Sequence, residues 1–221
     1  SSVVLTSDIH VGSDTFLEKY FEKFINWLNL KYGNKKEREI AETVKYLVVA
    51  GDLVDGVGVY PGQEEELNIK DIMRQYDIVA RYLEQIPDYI HIILLPGNHD
   101  AVRQGEPQPK LPKDICAPLY ELPNATLVGN PVTLRLHEVP IVAYHGRSFD
   151  DLTSLIPGAS YTNIKPILEF MLRTRHLAPV FGGKTPLVPE SRDYHVISIF
   201  PEILHTGHIH INEMILYKNT L

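Results

Sequence analysis

Carboxylate, imidazole and amide side chains recur at five places in the sequence, each just after a short apolar run. The sequence contains DIH from residue 8, GD from residue 51, GNHD from residue 97, HG from residue 145 and GHIH from residue 207. Oxygen and imidazole donors without a thiolate suit divalent ions such as Mn, Fe, Zn or Ni. The five segments therefore predict a metal site built from side chains that are far apart in the sequence.

Seven side chains in these segments are candidate metal ligands: Asp8, His10, Asp52, Asn98, His145, His208 and His210. This is more than one ion needs, whereas two ions that share a carboxylate would use the whole set. Asp52 is the natural shared ligand, because Gly51 permits a sharp turn and a close approach of the backbone. Alternate residues on an extended segment point the same way, so we expect the two outer residues of DIH, and the two histidines of GHIH, each to face the cavity as a pair.

Apolar runs and amphipathic stripes predict the elements that carry these segments. Strands are predicted at Val3–Thr6, Tyr46–Ala50, Ile90–Leu95, Pro140–Tyr144, His195–Phe200, Ile203–His205 and Glu213–Tyr217. Helices are predicted at Leu17–Leu28, behind a Thr15/Glu18 capping box, at Ile69–Ile86 and at Ile164–Arg175. The order predicts an α/β fold, with a parallel portion leading into more antiparallel pairing. Because loops beyond the carboxyl ends of such strands converge on one crevice, the five segments can build one site.

Composition limits the class of protein. A chain of 221 residues that is 44% hydrophobic and 22% charged suits one globular domain, residues 1–221. Since it opens on one strand pattern and closes on another, we expect a domain taken from a longer protein. The formal net charge of −7 disfavours tight non-specific binding of nucleic acid by a bare surface, although two bound divalent ions would add about four positive charges at one spot. No apolar run predicts membrane insertion, and the lone Cys116 favours a reducing, cytoplasmic setting.

Each fragment also has a simpler explanation when it is taken alone. GD and PGN are common turn sequences, Asp8 could cap a helix, His145 could be an ordinary strand-end residue, and GHIH could be an edge strand. Five such coincidences at the ends of apolar runs are improbable. GGKT at 182–185 resembles the end of a phosphate-binding loop, but Ala178 stands where that loop needs glycine and Pro186 denies it a helix. Of the other histidines, we expect His205 to support a ligand and the rest to be structural.

Taken in order, the five segments resemble the calcineurin-like metallophosphoesterases over nearly the whole chain. The stretches GNHDAVRQGEPQP, YHGRSFDDL, HLAPVFGGKTPLVPE and HTGHIH are similar to one branch, the small 3′–5′ exonuclease subunits of archaeal family D DNA polymerases. The resemblance implies a two-sheet β-sandwich flanked by helices, with a dinuclear site at one sheet edge. It also implies DNA with single-stranded 3′ ends as the substrate, manganese as the activating ion, and a large polymerase subunit as the partner.

The resemblance also assigns roles to individual residues. The first metal would be held by Asp8, His10, Asp52 and His210, and the second by Asp52, Asn98, His145 and His208. His99 would not bind metal; it would reach the scissile phosphate or the leaving 3′-oxygen, oriented by Asp100. In such two-metal sites the ions activate water for in-line attack on phosphorus. Arg147 is a candidate phosphate contact. The alternative, to which the sequence gives equal weight, is that Arg147 is an ordinary solvent-exposed residue of the loop.

Two other functions remain open from the sequence. The same site could hydrolyse phosphomonoesters, phosphoproteins or cyclic nucleotides, because the metal chemistry is shared and only the loops favour DNA. Alternatively, the chain could serve mainly as a structural subunit that binds a large polymerase subunit, with exposed apolar residues between Ala178 and Val188 as part of the contact.

Overall fold

Two β-sheets lie face to face in the computed structural model, which describes all 221 residues, and helices cover both outer faces. The first sheet is parallel throughout, in the order β1 (Ser2–Thr6), β2 (Val44–Ala50), β3 (His91–Leu95) and β4 (Ala125–Leu127). The second has the order β5 (Val132–Leu136), β6 (Val139–Tyr144) and β7 (Ile203–Thr206). In it β5 and β6 are antiparallel, whereas β6 and β7 are parallel. The predicted α/β two-sheet sandwich is confirmed.

Six helices and one 3₁₀ turn connect the strands. They are α1 (Glu18–Leu28), α2 (Lys35–Thr43), the 3₁₀ turn Gln63–Glu66, α3 (Ile72–Leu83), α4 (Ala117–Tyr120), α5 (Phe149–Leu155) and α6 (Lys165–Thr174). None of these helices combines the length and the apolar character that crossing a membrane requires.

The central strands are apolar on both faces because both faces are covered. In β2, Leu47 and Val49 belong to the core shared with α1, α3 and α4, whereas Val48 faces the second sheet. In β6, Tyr144 packs against α5 and α6, and Ala143 lies between the sheets. Successive side chains of a strand point to opposite faces, so a strand covered on both sides reads as a continuous apolar run. This is why the sequence shows these strands so clearly.

The site follows from the strand directions. Strands β1, β2 and β3 are parallel to one another, as are β6 and β7, so DIH, GD and GNHD leave one edge of the first sheet while HG and GHIH leave an edge of the second. His205 in β7 joins the two sheets next to the site, because its Nε2 lies 2.9 Å from the carbonyl oxygen of Thr6 in β1. His205 therefore holds the strand that leads to Asp8 and makes no hydrogen bond to a predicted ligand.

Several local predictions are wrong. Segment His195–Phe200 forms only one isolated bridge, from Val196 to His176, and Glu213–Tyr217 forms no strand, because neither finds a neighbouring strand to continue the ladder. The Thr15/Glu18 capping box does not form: Leu17 precedes α1 without a side-chain cap, and Glu18 instead accepts a hydrogen bond from Tyr82. The capping box occurs at α2, between Asn34 and Glu37. Helices α2, α4 and α5 and strands β4 and β5 are absent from the predicted elements, because they are short or weakly apolar.

Candidate metal centre

All seven predicted ligands lie together where the two sheets meet. Their donor atoms form overlapping groups in which every atom lies within 4.8 Å of the others: Asp8 with His10 and His210, His10 with Asp52 and His99, and Asp52 with His145 and His208. Asn98 joins the last group through its Oδ1, 3.0 Å from Nε2 of His145. We call Asp8, His10 and His210 the outer half of the site, and Asn98, His145 and His208 the inner half. Asp52 lies between them.

The outer half contains an exposed ligand. Nε2 of His10 lies 3.1 Å from Nε2 of His210 and 4.0 Å from Oδ1 of Asp8, and His210 lies 3.5 Å from the same oxygen. The His210 side chain is 60% exposed, whereas that of Asp8 is 7% exposed. Two imidazole nitrogens that face each other at this distance can share at most one proton. A cation between them satisfies both.

The inner half is enclosed. The His145 side chain is fully buried, and its Nε2 lies 3.3 Å from Oδ2 of Asp52. The backbone N–H of His208 donates to the carboxylate of Asp8, which links the two halves. An imidazole nitrogen that faces the oxygens of Asp52 and Asn98 needs a proton or a metal ion between them. The donor set therefore fits a divalent cation.

Asp52 has the geometry of a shared ligand. Its Oδ2 lies 3.6 Å from Nε2 of His10 and 3.3 Å from Nε2 of His145, so one oxygen faces both halves. Its Oδ1 accepts a hydrogen bond of 2.8 Å from the backbone N–H of His99. Gly97 permits this approach, because a Cβ there would lie 2.2 Å from Oδ1 of Asp52.

Hydrogen bonds select the ring nitrogen that each histidine offers. Nδ1 of His145 donates to the carbonyl oxygen of Ala50 at 2.9 Å, which leaves Nε2 as the ligand atom. Nδ1 of His10 donates to Oδ1 of Asp55 at 2.9 Å, with the same result. In His208 the arrangement is reversed. Its Nε2 lies 3.1 Å from Oδ2 of Asp150, so Nδ1 is left for the metal.

Without a metal ion, the buried carboxylates of the site favour positive charge on the neighbouring imidazoles. Burial alone would lower the pKa of His145, but the Asp52 carboxylate, the charge of Asp8 and the hydrogen bond to Ala50 together raise that pKa to about 10. Burial would likewise raise the pKa of Asp52, yet the charges of His145, His99 and His10 hold it well below its usual range. His145 thus favours a proton where a divalent ion could supply the positive charge.

The backbone of the site is strained. Five of the seven predicted ligands have φ in the left-handed region: Asp8 (55°), His10 (52°), Asp52 (52°), His208 (74°) and His210 (52°). Such conformations cost on the order of 1 kcal/mol or more per residue and persist where the surrounding structure imposes them. The segments are therefore not extended, so alternation along a strand is not what aims these residues, although Asp8 and His10 do lie in one donor group as expected. The two histidines of GHIH instead serve different halves.

His99 lies beside the ligands and is oriented by Asp55, which is not among the predicted site residues. Its Nδ1 lies 2.8 Å from the carbonyl oxygen of Asp55, which leaves Nε2 free. The expectation that Asp100 orients His99 is wrong. Asp100 is buried, and its carboxylate accepts hydrogen bonds from Tyr76 and from the backbone N–H groups of Gly97 and Leu53. The sequence at residues 51–55 is GDLVD, so the signal that could have identified Asp55 is a second carboxylate three residues after Asp52.

Arg147 lies at the rim of the site and crosses from one loop to another. Its guanidinium donates to Oε1 of Gln104, and Nε2 of Gln104 donates to the carbonyl oxygen of Asn98 at 2.7 Å. An open groove of about 1070 Å³ begins at His10 and His99 and continues past aromatic side chains, including Tyr20 of α1. The site is thus accessible from the side of the outer half.

Comparison with known proteins identifies the family. Residues 1–211 match the calcineurin-like phosphoesterase family. Among curated proteins, the chain is 53% identical over 215 residues to the DNA polymerase II small subunit of Methanocaldococcus jannaschii, covering 97% of this chain and 36% of that protein. It is 51% identical over 208 residues to the small subunit of Archaeoglobus fulgidus, covering 94% and 42% respectively.

A third relative, the DNA polymerase II small subunit of Methanothermobacter thermautotrophicus, is 48% identical over 217 residues, covering 98% of this chain and 45% of that protein. The chain therefore spans less than half the length of these relatives. Members of the family bind divalent metals, in agreement with the donor sets described above. The resemblance inferred from the motifs is confirmed, and the chain belongs to the calcineurin-like phosphoesterase family.

Proposed function

We propose that the chain is a divalent-metal-dependent phosphodiesterase that removes nucleotides from 3′ ends of DNA, as the exonuclease domain of an archaeal replicative polymerase subunit. The observation that carries this proposal is the single carboxylate oxygen of Asp52 that faces both halves of the ligand set, with His99 beside it. This arrangement supports two ions, which we take to be manganese, with iron, zinc or nickel as other suitable ions. When bound, the ions supply an activated water and neutralise charge on the phosphate.

His99 acts on the leaving group in this proposal. The Asp55 carbonyl accepts the hydrogen of Nδ1, so in the doubly protonated ring Nε2 carries a second hydrogen, which it gives to the departing 3′-oxygen and so returns to neutral. General acid assistance of this kind contributes about 10²–10⁴-fold. Arg147, at the rim, is positioned to contact a phosphate of the strand.

DNA as the substrate is supported by the relatives, which are named as small subunits of DNA polymerase II. The open groove beside His99 fits a single strand, whose bases can stack on aromatic side chains such as Tyr20. We also propose a large polymerase subunit as the partner. The buried, unpaired thiol of Cys116 supports a reducing, cytoplasmic setting.

A paired assay with Mn²⁺ tests the proposed function. Labelled single-stranded DNA and p-nitrophenyl phosphate are offered separately to the wild-type chain and to His99→Ala. We expect nucleotide release from DNA by the wild type, and a loss of about 10²–10⁴-fold in His99→Ala with its metal content unchanged. Robust monoester turnover without release of nucleotides would instead favour a phosphomonoesterase. Loss of metal from His99→Ala would contradict the role given to this residue.

A further inference from the structure

Two buried amide side chains, Gln108 and Asn130, lie between the loops that carry Asn98 and His145. They are 3% and 0% exposed, and no role described above uses them. Their backbones exchange two hydrogen bonds, of 2.8 and 3.0 Å, which hold the two residues together as a unit. We call them the amide pair.

The amide pair connects the two loops through an unbroken series of hydrogen bonds. Nε2 of Gln108 donates to the carbonyl oxygen of Gly97 at 3.1 Å, directly before Asn98. Nδ2 of Asn130 donates to Oε1 of Gln108 at 2.8 Å. Oδ1 of Asn130 accepts from the backbone N–H of His145, again at 2.8 Å. The series runs from one ligand loop of the first sheet to the other loop, after β6 of the second sheet.

The groups at the two ends of this series require an amide side chain at residue 108 and at residue 130. The carbonyl of Gly97 needs a donor, and the N–H of His145 needs an acceptor. Two amides in series meet both needs, because each offers a donor at one end and an acceptor at the other. A carboxylate at either position would place two acceptors face to face in a buried site, where an unsatisfied polar group is costly.

We propose that Gln108 and Asn130 are positioning residues that hold Asn98 and His145 at the separation a metal ion in the inner half requires. The inference rests on the proposed function, since it concerns the same metal site. The effect should be unequal, because the amide pair makes hydrogen bonds beside Asn98 and His145 and none to Asp8, His10 or His210, so its loss acts mainly on the inner half.

The test compares Mn²⁺ binding and the electron paramagnetic resonance of bound Mn²⁺ in three proteins: wild type, Asn130→Asp and Asn124→Asp. Asn124→Asp is the matched control. Its buried Nδ2 donates to the carbonyl oxygen of Ile90 at 2.9 Å, before the start of β3 and away from the site. We expect the wild type and the control to bind two ions with a spin-coupled signal. Asn130→Asp should keep one ion, bind the second about 10–100-fold more weakly, and lose the coupled signal.

The outcomes separate the inference from the proposed function. If the wild type binds fewer than two ions, the proposed metal site fails whatever the amide pair does. If the wild type binds two and folded Asn130→Asp binds both equally well, the positioning role is overturned. Should circular dichroism show that Asn130→Asp is unfolded, Gln108→Met replaces it, because that change removes the donor to Gly97 without burying a charge. The same loss of the inner ion is expected, and unchanged binding overturns the inference.

Discussion

The two halves of the metal site are built in different ways. His145 in the inner half is completely buried, and its backbone and ring are both fixed by hydrogen bonds to neighbouring segments. His210 in the outer half is 60% exposed and lies in a segment without regular structure, near the end of the chain. Only Asp52 faces both halves.

This difference shows how one site can combine rigidly held ligands with ligands that are accessible to solvent. Ligand side chains that neighbouring residues already hold in place lose little conformational entropy when an ion binds, so the inner half should bind its ion tightly. The outer half has to order an exposed side chain, so its ion should bind less tightly and exchange faster. Because the groove opens on the outer half, substrate phosphates would meet that ion from the solvent side.

The largest expected effect comes from the residue that the halves share. Asp52→Asn preserves the shape of the side chain and the acceptor for the His99 N–H, but removes the charge. We expect exonuclease activity to fall by at least about 10³-fold, the upper end of what one lost electrostatic stabiliser costs. The measurement is nucleotide release together with metal content. Near-wild-type activity would show that the halves do not depend on a common carboxylate.

Removing one ligand from each half tests the comparison directly. We expect His145→Ala to weaken the binding of the tight ion by more than about 100-fold. That factor is the usual upper limit for the loss of a residue that only supports a ligand. His210→Ala should weaken only the looser ion and leave the tight one in place. Calorimetric titration with Mn²⁺ resolves the two classes. If His210→Ala removed the tight ion instead, the assignment of affinities to the halves would be reversed.

Asp55 offers a finer test of the outer half, because its carboxylate and its backbone carbonyl contact different histidines. Its carboxylate holds the ring of His10, whereas its backbone carbonyl holds His99. Asp55→Asn should therefore weaken the outer ion by about 10-fold, at the low end for a supporting residue, and leave His99 in place. At saturating Mn²⁺ the variant should regain nearly full activity. Activity that stays low under those conditions would mean that the carboxylate also acts through His99.

A last expected effect concerns stability rather than metal binding or activity, namely the pH dependence of unfolding in the absence of metal. Burial and the nearby charge of Asp52 raise the pKa of Asp100 to about 7, whereas an unfolded aspartate ionises near pH 4, at about 3.9. Between these values the unfolded chain releases a proton that the folded chain retains. Stability should therefore fall as the pH rises from about 4 to about 7. Denaturant unfolding with a chelator should show this slope in the wild type and less of it in Asp100→Asn; identical slopes would contradict the assignment.

Much of the fold was predictable because its signals are local. The strands that lead into the site are continuous apolar runs, and the structure has β2, β3 and β6 within a few residues of their predicted bounds. The short strand β4 and the helix α2 were missed. The valine and two isoleucines of segment His195–Phe200 predict a strand, although the segment's only bridge is to His176. Whether such a segment forms a strand depends on a pairing partner that lies far away in the sequence.

By itself, the sequence determined the chemistry of the site and the order in which its segments occur. Ligand types, glycine turns and strand ends are properties of a few neighbouring residues, and they sufficed to select all seven donors that the structure brings together. Only the tertiary structure decided which carboxylate meets which imidazole. Asp55 rather than Asp100 holds His99, and the amide pair joins two ligand loops, because contacts between residues 22 or 44 positions apart depend on how the sheets pack. The left-handed backbone of five of the seven ligands is likewise visible only in the tertiary structure, because residues other than glycine adopt it only where their surroundings require it.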